Sequence, residues 1–197
     1  MDYSDFGCKI HNPECLDYLK IGDIYESVDM LIEKEEKFDC LWLDNVLEHV
    51  VDPLALLKKC ANLISDEDGV LVIDVPNDFS VIQKLVYEND LISNPFWVGS
   101  PDHISYFNRD GLIAVCDAAG WSHKFSMGDY PIDLNILNEN TNYIKDKSKG
   151  KSCHNQRVAI ENLLFKISIE KTNKLYEAMA ELGLGRSVIG FFQLKSL

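Results

Sequence analysis

The most constraining stretch is Phe38 to Pro53, FDCLWLDNVLEHVVDP. Phe38, Cys40, Leu41, Trp42 and Leu43 make a short apolar run broken by Asp39, the pattern of a buried strand. Polarity changes at Asp44 and Asn45, where that strand should end. Asp52 and Pro53 then offer an N-cap and a first-turn proline for a helix. The helix from Pro53 to about Ile64 is amphipathic through Leu54, Leu57, Ala61 and Ile64. After the SDEDG turn at 65–69, Val70 to Val75 is a β-branched run stopped by Pro76. Strand, helix and strand within about 40 residues suit a βαβ unit with a right-handed crossover. In open sheets of this kind, ligands bind beyond the carboxyl ends of the strands.

The flanking sequence extends the alternation. Ile24, Val28, Leu31 and Ile32 form one apolar helical stripe after the Gly22-Asp23 turn. Phe79 to Glu88 reads as a helix, 89–108 as an aromatic and polar loop, and 109–119 as a helix capped by Asn108. Trp121 to Met127 reads as a strand. Residues 128–154 are irregular, 155–182 are one long helix or two with Lys171 as the interruption, and Ser187 to Leu194 closes as a strand. The predicted class is α/β: a Rossmann-like, mostly parallel sheet with helices on both faces and a helical insert before the last strand. Residues 1–127 are expected to be the core, with 128–197 the insert, long helix and closing strand of the same domain.

Composition narrows the function. A net charge of −13 over 197 residues argues against nucleic acid and anionic membranes as partners. No apolar run approaches the roughly 18 residues of a membrane span, so a cytoplasmic protein with reduced thiols is expected. Cys40, Cys60 and Cys116 read as small core residues. Cys8, His11 and Cys15 are spaced C-x2-H-x3-C, with Cys153-His154 the other close pair. A turn around Asn12-Pro13 with incidental thiols is the preferred reading over a zinc site.

The stretch FDCLWLDNVLEHVVDPLALLKKCANLISDEDGVLVIDVPN resembles the second half of a class I S-adenosylmethionine-dependent methyltransferase. The shared pattern is an FD strand, a VLEH turn, a DP helix start, an L…DG turn and a strand ending PN. SPDHISYFNRDGLIAVCDAAGW resembles the same family's H…F segment and its GW approach to a later strand. The likeness covers roughly residues 15–127. It implies S-adenosyl-L-methionine as cofactor and a small molecule, a sugar or another metabolite, as methyl acceptor. It places Asp2, in Met1-Asp2-Tyr3-Ser4, on the ribose hydroxyls, since a carboxylate can accept from a vicinal diol. It places Asp23 and Ile24 beside the adenine, and Asp44 and Asn45 beside the methionine moiety. His49 either lines that pocket or fixes the start of the helix by hydrogen bonds. In one quinone-methylating branch two acids and this histidine bind a metal; Asn45 stands at the first acidic position here, so no metal is expected. His103 and Tyr106 are the candidate catalytic pair, because a hydroxyl acceptor must lose its proton and a histidine has a suitable pKa; loop packing is their other reading.

The family's G-x-G-x-G loop is absent. Gly183-Leu184-Gly185 follows a helix and precedes a strand, the reverse of the required order, and reads as a helix C-cap. In the family's usual order strand one lies between strands two and four, and strand seven between five and six. The expectation is therefore a truncated enzyme that lacks the first strand-helix unit and leaves an uncovered edge on the 38–43 strand, with a homo-oligomer as one way to cover it. The alternatives are a non-catalytic methyltransferase-like binding module, or a plain α/β domain with another nucleotide ligand.

Overall fold

The structure is a computed structural model and describes residues 1–66 and 68–195. Helix α1 (Phe6–His11) and a 3-10 turn over Pro13–Tyr18 precede α2 (Ile24–Glu33). Strand β1 (Cys40–Asp44), α3 (Pro53–Cys60) and β2 (Val70–Pro76) form the expected βαβ unit. Helices α4 (Val81–Glu88) and α5 (Arg109–Ala118) lead to β3 (Trp121–Gly128). Helices α6 (Gly150–Ile167) and α7 (Ile169–Glu181) lead to β4 (Ser187–Leu194).

The sheet order is β1-β2-β4-β3. β1 and β2 are parallel, while β4 is antiparallel to both β2 and β3. Three strands thus run one way and β4 runs between two of them in reverse. The sheet is mixed, and β1–β2 is its single parallel contact among the described residues. The reversal follows from the α6–α7 hairpin, which returns the chain to the carboxyl end of β2, where Pro76 pairs with Ser187. With β1 and β2 as strands four and five, the order equals the strand four, five, seven, six half of the sheet that the resemblance implies.

Leu43, Leu71, Ile73, Val75, Val188 and Phe192 pack against Leu56, Leu57, Leu112 and Trp121 in one core. Each such side chain contributes about 1.5–3 kcal/mol on burial. Trp121 satisfies its indole by donating Nε1–H to the Leu57 carbonyl at 3.0 Å. Gly190 sits where a Cβ would lie 2.5 Å from the Phe192 ring, so the closing strand needs glycine there. A second, smaller core gathers Ile82, Val86, Ile92, Trp97 and Ile136.

Several expectations are corrected. Residues 1–23, whose sequence shows little regular pattern, contain α1, a helix with no buried residue and hence no hydrophobic stripe to reveal it. The long helix breaks at Ser168, not Lys171; Ser168 is extended and its side chain accepts the Lys171 N–H, capping α7. Cys40 is exposed, because it shares the outward face of β1 with Trp42, which is 63% exposed. Cys60 and Cys116 are core residues as expected, and burial pushes both thiols up to about 12. Among the described residues, β1 pairs only with β2 and forms the sheet edge.

Candidate functional site

The site is built where β1 and β2 end. Asn45 follows β1 in a left-handed conformation, φ 50°, which asparagine tolerates better than most residues. Its N–H donates to the Asp74 carbonyl and its amide to Asp44 Oδ1 at 2.7 Å. The next turn buries Leu47 and Val50 in the core, leaving His49 toward solvent.

The N-terminal segment lies against this edge. Asp2 and Ile21 form a parallel bridge, with Asp2 N–H donating to the Lys20 carbonyl and Gly22 N–H to the Asp2 carbonyl. Gly22 has φ 144°, a conformation that side chains rarely adopt. A cavity of about 250 Å³ results, and Asp2, Ile24, Asp44, Asn45 and His49 all line it, with Tyr3 and Gly22 among its other walls. Three separate stretches of chain therefore bring five expected cofactor residues to one cavity.

Asp23 is used differently. Its Oδ1 accepts the N–H groups of Tyr25 and Glu26 at the start of α2, and Oδ2 accepts the Tyr3 hydroxyl at 3.1 Å. The backbone bond from Glu26, with those from Tyr3 and Tyr25, holds its carboxyl below the usual range. Asp23 thus caps α2 and ties down Tyr3, one residue from the acid at position 2. Tyr3 gave no signal in the sequence beyond its proximity to Asp2.

A second group adjoins the first. His49 donates Nδ1–H to the Asp102 carbonyl at 2.7 Å, which leaves Nε2 as its acceptor atom. His103 lies edge-on to it, ring centroids 4.8 Å apart, and its Nδ1 is buried without a partner. Tyr106 donates its hydroxyl to the His103 carbonyl at 3.1 Å, so it positions the histidine backbone. Ile104 and Ser105 donate their N–H groups to the Glu48 carbonyl, seating this loop on the VLEH turn. Glu48, His49 and His103 each present one atom within 4.8 Å of the others, so these three are the residues that could share a metal ion. Cys8, His11 and Cys15 form no such cluster among the described residues.

Buried acids complete the electrostatics. Burial raises the Glu48 carboxyl, with neighbouring Asp44 adding to the rise. Burial, followed by the charges of Asp44, Asp129 and Glu48, pushes Asp74 up to about 7. Burial pushes Asp78 up to about 6 against the opposing pull of Arg186. No role was expected for Glu48 or Asp74. The available signal was an acid inside an apolar run, as in VLEHV and VIDVP.

The donor set fits a cationic nucleoside cofactor: acids at Asp2 and Asp44, and an apolar wall at Ile24, around one cavity. An α/β sheet with its ligand cavity at the strands' carboxyl ends defines the Rossmann-like class. A methyltransferase-domain family model matches residues 9–123, more than half of the chain. The chain belongs to this methyltransferase family. A curated relative, the ubiquinone biosynthesis O-methyltransferase of Coxiella burnetii (strain Dugway 5J108-111), is 22% identical over 102 residues, covering 52% of this chain. The chain spans 44% of that relative's length. A solved S-adenosylmethionine-dependent methyltransferase from Archaeoglobus fulgidus shares the fold, with a TM-score of 0.53 and 14% identity, over 98% of this chain and 73% of that one. Among the described residues no helix is long and apolar enough to cross a membrane.

Proposed function

We propose that this chain binds S-adenosyl-L-methionine in the cavity at the end of β1 and serves methyl transfer to a small-molecule acceptor. The convergence of Asp2, Ile24, Asp44, Asn45 and His49 on that cavity carries the reading. The cofactor supplies a methyl group already activated on a sulfonium. Asp2 accepts from the ribose hydroxyls, Ile24 gives the adenine an apolar wall, and Asp44 with Asn45 faces the ammonium group. Asp23 supports the adenine end by fixing the start of α2. His49, held in one tautomer by the Asp102 carbonyl, presents Nε2 at the pocket rim. The chain's own task is positioning, because alignment of reactants is the main source of rate when the donor is already activated. His103 takes a proton from the acceptor, and Tyr106 holds His103 in place.

The alternative, a non-catalytic methyltransferase-like binding module, would hold the cofactor without transferring its methyl group. Isothermal titration with S-adenosylhomocysteine tests the first reading. Saturable binding is expected, weakened roughly tenfold or more in Asp44→Ala. A folded wild-type chain that releases no binding heat would sink it. Binding without methyl transfer to any acceptor would favour the module.

A further inference from the structure

One carboxylate and two imidazoles meet where the turn after β1 touches the loop before α5. Glu48 is 1% exposed, and neither of its oxygens accepts a hydrogen bond. Its only ion-pair neighbour among the described residues is His49, whose Nε2 stays 3.8 Å from Oε1, beyond hydrogen-bond range. His103 has a buried Nδ1 with no partner. One atom from each of the three lies within 4.8 Å of the others. Polar atoms left buried and unpaired are costly, so the trio fits an occupant that all three can share.

The backbone holds these groups to one another. Ile104 and Ser105 donate N–H to the Glu48 carbonyl at 2.9 and 3.1 Å, and His103 N–H donates to the Gly99 carbonyl at 2.9 Å. The Asp102 carbonyl accepts His49 Nδ1–H at 2.7 Å, which leaves the lone pair on Nε2, the atom 3.8 Å from Glu48 Oε1. Metal-ligating histidines almost always carry such a bond on the other nitrogen, because it fixes the ring and its tautomer. A metal ion bonded at about 2.0–2.2 Å holds tetrahedral ligands about 3.4 Å apart. Small side-chain rotations bring the 3.8 Å pair to that spacing. The His49 side chain is 44% exposed and lines the cavity at the end of β1, so the trio is open to that cavity on one side.

We propose that Glu48, His49 and His103 bind a single transition-metal dication of the zinc type. Two neutral imidazoles and one carboxylate are a borderline donor set that suits zinc and its first-row neighbours, whereas magnesium prefers oxygen ligands. The set is not the two acids and histidine of the quinone-methylating branch. Asn45 gives its side-chain amide to Asp44, and the third donor comes from another loop, at His103. Asp44 and Asp74 add negative charge beside Glu48, which favours a dication over a neutral occupant. The site stands whether or not the β1 cavity holds the cofactor. A bound metal takes the lone pair with which His103 would accept a proton, so metal ligand and base are alternative states of that residue.

Isothermal titration of the full chain with zinc chloride and with magnesium chloride tests the site. The thiols that are not buried, Cys8, Cys15 and Cys40, are first replaced by serine so that they cannot take the metal. On that background the single substitutions are Glu48→Gln, His49→Ala and His103→Ala. Zinc should bind at a single equivalent, weaken roughly tenfold or more in each variant, and bind roughly a hundredfold tighter than magnesium. Histidine side-chain nitrogen NMR should show zinc moving His49 and His103, with His11, His123 and His154 unmoved. Zinc binding that no substitution weakens, magnesium binding as tight as zinc, shifts confined to the other three histidines, or no saturable zinc binding by the folded chain would overturn the site. If one variant fails to fold, the other two carry the comparison. S-adenosylhomocysteine, titrated alongside, keeps the two readings apart: zinc binding without it would overturn the cofactor reading and leave the metal site standing, and the reverse would overturn the metal site alone.

Discussion

Asp74 shows how a single residue reports the electrostatics of the strand ends. Its carboxyl is raised to about 7 by burial and then by Asp44, Asp129 and Glu48. The folded chain therefore holds a proton at pH values where the unfolded chain has released it. Stability from this residue is greatest below the ordinary carboxylate range and falls as pH rises toward 7. Asp74→Asn should thus stabilise the fold at pH 8, by on the order of 1 kcal/mol after allowance for solvent screening, and gain little near pH 4. Urea denaturation at the two pH values checks this; an equal effect at both would contradict the assignment. The acid itself stood in plain view in VLVIDVP, but its environment did not. Residue type reveals an acid in a strand, whereas the like charges around Asp74 come from Asp44 and Glu48, far enough along the chain that only folding brings them close.

Among the elements, those with local signals were legible. Asp52-Pro53 marked the start of α3, and Asn108 marked that of α5; both side chains accept a first-turn backbone N–H as caps do. Ser80 shows the same logic more fully, forming a reciprocal capping box with Gln83 before α4. Ser80→Ala should cost about 0.5–2 kcal/mol, measured by urea unfolding, and Ser80→Asp should recover most of it. A neutral Ser80→Ala would mean that α4 is held by its apolar contacts alone. The break between α6 and α7 was misplaced because apolar spacing continues across it. Ser168 ends one helix and caps the next, a role that serine fills without disturbing the hydrophobic period. The mixed character of the sheet was hidden for a similar reason: β4 carries the same apolar pattern whichever way it runs, and its direction is set by the α6–α7 hairpin.

At the scale of the whole molecule, β1 forms the edge of the sheet β1-β2-β4-β3 and ends at Asp44, one wall of the cavity at that strand end. Family resemblance pointed to Asp2, Ile24, Asp44, Asn45 and His49, and one cavity joins them. It could not assign Asp23 as a helix cap, since that depends on the backbone of Tyr25 and Glu26. Nor could it find Glu48, whose significance lies in being buried without a partner. The central claim is that this cavity holds the cofactor. Backbone amide NMR of the 22.4 kDa chain, recorded with and without S-adenosylhomocysteine, tests it most directly. Shift changes concentrated at Asp2, Tyr3, Gly22, Ile24, Asp44, Asn45 and His49 are the expected result. Changes confined to the separate cavity of about 220 Å³ lined by Ser80, Lys84 and Arg109, or no changes at saturating ligand, would contradict it.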